Sequence, residues 1–135
     1  MAHSPRKLLV NNTSRTIVCG KLAIADRVVS RARGLLGRRA MHRGEGLLLR
    51  PAPAIHTGFM RFDIDVVFLD AQLRTIKLVP EMKPWRAVAA RRAHAALELE
   101  AGAIGRLGIR LGDRFSVLDL HVPRDSETGV SNVAR

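Results

Sequence analysis

Four side chains in one short stretch form the densest set of chemical groups in this sequence: His56, Arg61, Asp63 and Asp65. A histidine beside a carboxylate can be held in one tautomer and act as a general base. A neighbouring arginine can grip a carboxylate or phosphate through two parallel hydrogen bonds. Arg33 and Glu45 are further polar candidates from other segments. The competing role is structural, with Asp63 or Asp65 capping a turn or pairing with Arg33 or Arg61. Ion-pair networks that only hold a fold resemble sites. Met60, next to Phe59, reads as core first and contact surface second. Trp85 lies between Pro84 and Arg86. It is either partly buried, the commoner place for tryptophan, or an exposed surface on which a ligand stacks.

Other chemistries lack their motifs. The histidines His3, His42, His56, His94 and His121 are scattered without a metal-ligand spacing, so neither a metal nor a cofactor is expected. No Gly-x-Ser-x-Gly elbow is present. Gly34, Gly37, Gly44 and Gly46 lack the lysine and spacing of a phosphate-binding loop. The single cysteine, Cys19, excludes a disulfide framework and any multi-thiolate metal site. Between Val18 and Gly20 it reads as a small core residue.

The formal charge of the 135-residue chain is +11, from 23 basic and 12 acidic residues. Such a balance attracts nucleic acid, anionic lipid or acidic partners. Of the basic residues 19 are Arg, however, a bias that a GC-rich genome produces without any binding role. Basic groups gather at Arg31, Arg33, Arg38, Arg39 and Arg43, at Arg91-Arg92, and at Arg106, Arg110 and Arg114. Only five aromatics and no Tyr are available for stacking bases, so nucleic-acid binding would be backbone-directed and salt-sensitive. No apolar run is long enough for a signal segment or a membrane span, and a cytoplasmic protein is expected.

The elements that must position these groups are mostly strands. Lys7 to Val10 is one, followed by an Asn11-Asn12-Thr13-Ser14 turn. Thr16 to Ala25 is β-branched and reads as one strand, or as two broken at Gly20. Asp26 caps an expected helix through Val28, Val29, Ala32, Leu35 and Leu36. Leu47 to Leu49 is a short strand, and Ile55 to Arg61 a possible strand edge. Val66 to Leu69 is a buried central strand. Arg74 to Val79 alternates and is its half-buried antiparallel partner. Ala87 to His94 reads as irregular or briefly helical. Ala95 to Glu100 is a strand, Ala101 to Leu107 a short helix, and Phe115 to Leu120 the last strand. One β-rich domain over residues 1–122 is expected, with a polar, disordered tail over 123–135. Seven or eight strands with two short helices give a mainly β (α+β) chain, an antiparallel β-sandwich or barrel-like fold.

Several segments share the order and spacing of one family. They are Arg33-Gly34-Leu35-Leu36-Gly37-Arg38, Gly44-Glu45-Gly46-Leu47-Leu48-Leu49, Phe59-Met60-Arg61, Ile64 to Asp70, Leu97-Glu98-Leu99 with Ala101-Gly102, and Gly112-Asp113-Arg114-Phe115. Over about residues 20 to 118 the chain resembles the domain of unknown function 192 family. The resemblance implies a single, predominantly antiparallel β domain and no settled activity. Two departures from the family pattern are Phe62-Asp63 after the basic residue, and Ala71-Gln72-Leu73 where an Asp-Gly hairpin is usual. The second favours a longer or type I turn.

Three functions are weighed on these residues. The first is a non-catalytic binding module, with a small polar cleft near His56, Arg61 and Asp65 for a small anionic ligand or a protein partner. The second is a hydrolase using His56 with Asp65. The third is nonspecific nucleic-acid binding through the Arg-rich surface.

Overall fold

A computed structural model describes residues 6–26 and 38–120. Its strands are β1 (Arg6–Asn11), β2 (Thr16–Cys19), β3 (Lys21–Ala25), β4 (Glu45–Leu49), β5 (Ala54–His56), β6 (Ile64–Leu69), β7 (Thr75–Met82), β8 (Ala87–Ala89), β9 (Ala95–Glu100) and β10 (Phe115–Leu120). One short helix, α1 (Ala103–Leu107), is present among the described residues. The other expected helix, with Arg33 in it, lies outside them, as do the expected tail and the first five residues.

The strands form three sheets rather than a closed barrel: β10-β1-β2, β3-β4-β9-β6-β7 and the two-stranded ribbon β5-β8. The chain changes sheet at Gly20, between β2 and β3. The antiparallel expectation needs one correction, because β3 and β4 run parallel. A parallel pair cannot be closed by a tight turn and needs a long crossover, which residues 26–44 supply.

Both faces of the five-stranded sheet are buried. On one face Val67 and Leu69 of β6 join Leu48, Leu97, Leu99, Leu9, Val18 and Phe115, under the three-stranded sheet. On the other, Ile64, Val66 and Phe68 join Leu47, Leu49, Met60 and Met82, with Ile55 from the β5-β8 ribbon. Strand alternation divides neighbouring residues between these two cores. It explains why Val66 to Leu69 is continuously apolar: a strand covered on both sides has no solvent face.

Two local features fix the packing. Gly46 lies against Cys19, and a Cβ at position 46 would sit 2.6 Å from the Cys19 sulfur. The β6-β7 turn is of the longer kind expected. Asp70 accepts the N–H groups of Gln72 and Arg74, both at 2.9 Å, and Leu73 takes the left-handed position that glycine usually fills.

Candidate functional site

Alternation along β6 decides where Asp65 goes. Ile64 and Val66 face the core shared with the β5-β8 ribbon, so Asp65 points through the opposite face, beside α1. It is fully buried. Its Oδ1 accepts the N–H of Glu81 at 2.8 Å and of Gly102 at 3.0 Å, and its Oδ2 that of Ile104 at 2.8 Å. Opposite Asp65 the β6-β7 ladder breaks register, and Glu81 adopts a positive φ of 49°. The carboxylate therefore ties a bulge on β7 to the start of α1. It does not meet His56, and the expected cleft of His56, Arg61 and Asp65 is not assembled.

Glu45, at the start of β4, is tied to its own loop. One guanidinium nitrogen of Arg38 lies 2.9 Å from both carboxylate oxygens, and the N–H of His42 donates to Oε1 at 3.0 Å. Burial pushes the Glu45 carboxyl up, but the His42 N–H and the Arg38 guanidinium outweigh it and hold it below the usual carboxylate range. A cleft of about 160 Å³ opens here, lined by Lys21, Arg38, Met41 and Glu45 among others.

The remaining candidates converge elsewhere, at the end of the β5-β8 ribbon. Trp85 is 62% exposed and Phe59 72% exposed. Their rings are in contact, with centroids 4.6 Å apart and planes tilted by 58°. The bland expectation of a partly buried tryptophan is thus corrected. Met60, by contrast, is buried among core side chains, as its core reading expected. His56 is exposed, and its Nδ1 accepts the Gly58 N–H at 3.3 Å. A Cβ on Gly58 would touch His56 and Trp85, so these side chains crowd round one backbone position.

Phe59 and Trp85 share an unusual backbone state, with φ of 65° and 62°. Positive φ in a bulky residue is a true outlier, costing roughly 1–3 kcal/mol, and persists only where the surroundings over-determine it. Here Thr57 does so, with its side chain fully buried between the two loops. Its hydroxyl donates to the Lys83 carbonyl at 2.6 Å and accepts the Arg86 N–H at 3.0 Å. Its own N–H donates to the Arg86 carbonyl at 2.8 Å, and its carbonyl accepts the Trp85 N–H at 3.0 Å and the Met60 N–H at 3.2 Å. The result is an aromatic knob exposed to solvent, its two loops tied together through Thr57.

Cationic residues neighbour the two aromatics in sequence: Arg61, Lys83 and Arg86. Arg61 is exposed and makes no hydrogen bond or ion pair among the described residues. Among the described residues the Arg86 guanidinium donates only to the neighbouring Trp85 carbonyl, at 3.4 Å. Lys83 lies 3.7 Å from Asp63, which accounts for both. Sequence reasoning missed Phe59, Thr57, Lys83 and Arg86 as parts of this surface. The available signal was the pair of aromatics beside Gly58 and Pro84, where a turn can hold rings outward.

The DUF192 family, described as an uncharacterized ACR, matches residues 9–117. The chain belongs to this family. UPF0127 proteins are among its relatives. One from Thermococcus sibiricus is 31% identical over 113 residues, covering 80% of this chain and 73% of the relative. Another, from Pyrococcus abyssi, is 32% identical over 111 residues, covering 79% and 94%. A crystal structure of a protein of unknown function from Novosphingobium aromaticivorans superposes with a TM-score of 0.70 at 20% identity, covering 82% of each chain. At that identity the likeness speaks for the fold alone. Membership in DUF192 carries no activity with it.

Proposed function

We propose that this DUF192 protein is a binding module whose contact surface is the Phe59–Trp85 knob and whose ligand is anionic. The observation that carries this is the pair of exposed aromatic rings, each on strained left-handed backbone and locked by the buried Thr57. Exposed apolar area and strained φ both work against stability, so neither is explained by folding. A rigid aromatic anchor loses little conformational entropy on binding, which is what an energetic centre of an interface needs.

The flanking Arg61 and Arg86, free of carboxylate partners among the described residues, favour a negative ligand. Of the occupants expected from the sequence, a convex knob suits an extended anion or a partner surface better than an enclosed small molecule. The hydrolase alternative finds little support, since Asp65 and His56 serve opposite faces of the central sheet. In this proposal the chain is a single sandwich-like domain over residues 1–122, acting in the cytoplasm. Among the described residues no helix is long and apolar enough to cross a membrane.

A thermal-shift comparison across anionic metabolites, polyphosphate, polyglutamate and oligonucleotides tests the proposal. At least one probe is expected to raise Tm, and the rise should vanish in Phe59→Ala and Trp85→Ala. No stabilising probe, or stabilisation that survives loss of both rings, refutes it.

A further inference from the structure

Resting on the binding role proposed above, we infer that the anion taken by the knob is a single-stranded nucleic acid. The ribbon that carries the knob is the most one-sidedly charged part of the site. Over residues 50–63 and 81–94 lie Arg50, Arg61, Lys83, Arg86, Arg91 and Arg92 against only Asp63 and Glu81. Arg50 is engaged with Asp26 at 3.3 Å and Lys83 with Asp63. Arg61, Arg86, Arg91 and Arg92 remain exposed without a carboxylate partner among the described residues.

The pairings His56 with Ala87 and Ala54 with Ala89 run the ribbon from the knob at one end to the Arg91-Arg92 turn at the other. Six residue steps separate Trp85 from Arg91, a path of up to about 20 Å at the strand rise. All four unpaired cations are arginines, whose planar forks match phosphate oxygens.

A basic track with protruding aromatic rings is the combination that holds unpaired strands: phosphates lie along the cations and bases stack on the rings. The 58° tilt leaves no slot between Phe59 and Trp85, so bases stack on their outer faces. The buried polar side chain between the two loops, Thr57, is engaged with the Lys83 and Arg86 backbone rather than offered to a base edge, so binding is tolerant of sequence. A duplex keeps its base faces covered and can offer only phosphates. An acidic peptide supplies charge but few planar faces.

Trp85 is the only tryptophan and the chain has no tyrosine, so intrinsic emission reports the site directly. The full chain is titrated with an oligothymidylate, its duplex with oligoadenylate, and polyglutamate, following Trp85 emission and the anisotropy of end-labelled DNA. Oligothymidylate should quench Trp85 and bind more tightly than duplex. With four phosphate contacts its affinity should fall about 50-fold between 50 and 200 mM salt.

Arg91→Ala combined with Arg92→Ala, both exposed, should reduce that loss to about 7-fold. Trp85→Ala, checked for an unchanged thermal transition, should weaken binding roughly 10- to 100-fold. Polyglutamate perturbing Trp85 while oligothymidylate does not overturns this inference and leaves the binding role standing. Duplex binding as tight as single-strand binding also overturns it. Oligothymidylate binding that is undiminished in Trp85→Ala overturns the inference and the role of the knob together.

Discussion

Replacing Asp65 by alanine should be among the most damaging single changes to this protein. The carboxylate accepts three backbone N–H groups at 2.8, 3.0 and 2.8 Å with no exposure to water. A hydrogen bond to a charged group contributes about 1.5–3 kcal/mol net, and an orphaned buried donor costs about 1–3 kcal/mol. The three share one acceptor and will not add in full. Water entering the vacated space recovers part of the loss. We expect a destabilisation of roughly 3–5 kcal/mol, the range seen when a buried charge interaction is broken. Against a total stability of about 5–15 kcal/mol this removes a large share.

Asp65→Asn keeps one carbonyl oxygen for Glu81 and Gly102 but turns an NH₂ toward the Ile104 N–H. It should cost about 2 kcal/mol, one charge-assisted bond and a mismatched donor pair. Urea unfolding followed by circular dichroism measures both. With m of roughly 1–3 kcal/mol/M, the alanine midpoint should fall by about 1–5 M at unchanged m. An alanine variant within about 1 kcal/mol of the parent, or an asparagine variant less stable than the alanine one, would refute the structural role assigned to Asp65.

Other positions give further expected outcomes. Gly46→Ala places a methyl 2.6 Å from the Cys19 sulfur and should lower stability by about 1–3 kcal/mol, with partial rescue by Cys19→Ala in a double-mutant cycle; full additivity of the two changes would contradict the contact. Thr57→Val removes the hydroxyl between the two loops and should cost roughly 1–3 kcal/mol while raising the mobility of Trp85 in time-resolved anisotropy; unchanged mobility would mean that Thr57 does not hold the knob. Burial pushes the Cys19 thiol from 9.0 up to about 12, so the native protein should resist thiol reagents at pH 9. Because the folded form holds that proton more tightly, the thiol's contribution is intact below pH 9 and lost as pH rises toward 12, read as a falling Tm. Iodide should quench Trp85 more strongly than caesium, since a local potential of one kT concentrates an anion about threefold; equal quenching would deny the basic surround.

Much of the strand pattern was legible because burial imposes it locally. The β-branched stretch broken at Gly20 and the run Val66 to Leu69 are strands, and the alternating partner expected over Arg74 to Val79 falls on β7 (Thr75–Met82). The parallel β3-β4 pair was not legible, since it depends on a crossover rather than on either strand's own residues. Ala87–Ala89 was obscured by alanine, which marks neither strand nor helix strongly in so short a run.

The place of the proposed contact surface was legible in part. His56, Arg61 and Trp85 were named from the sequence, and they lie on one ribbon and its flanking loops. Asp65 is close to them in sequence yet faces away, because one step along a strand reverses the side-chain direction. The exposure of Phe59 and Trp85 rests on a positive φ imposed by Thr57 from across two loops. Apart from the neighbouring Gly58 and Pro84, nothing local to either aromatic announces that geometry.

Chemical-shift mapping tests the claim that the knob is the contact surface most directly. Trp85 supplies the protein's single indole N–H resonance. On addition of oligothymidylate that resonance, and the amides of residues 56–61 and 83–92, should move together and saturate at one concentration. Shifts confined to the cleft lined by Lys21, Arg38 and Glu45, with the indole signal unmoved, would contradict the account.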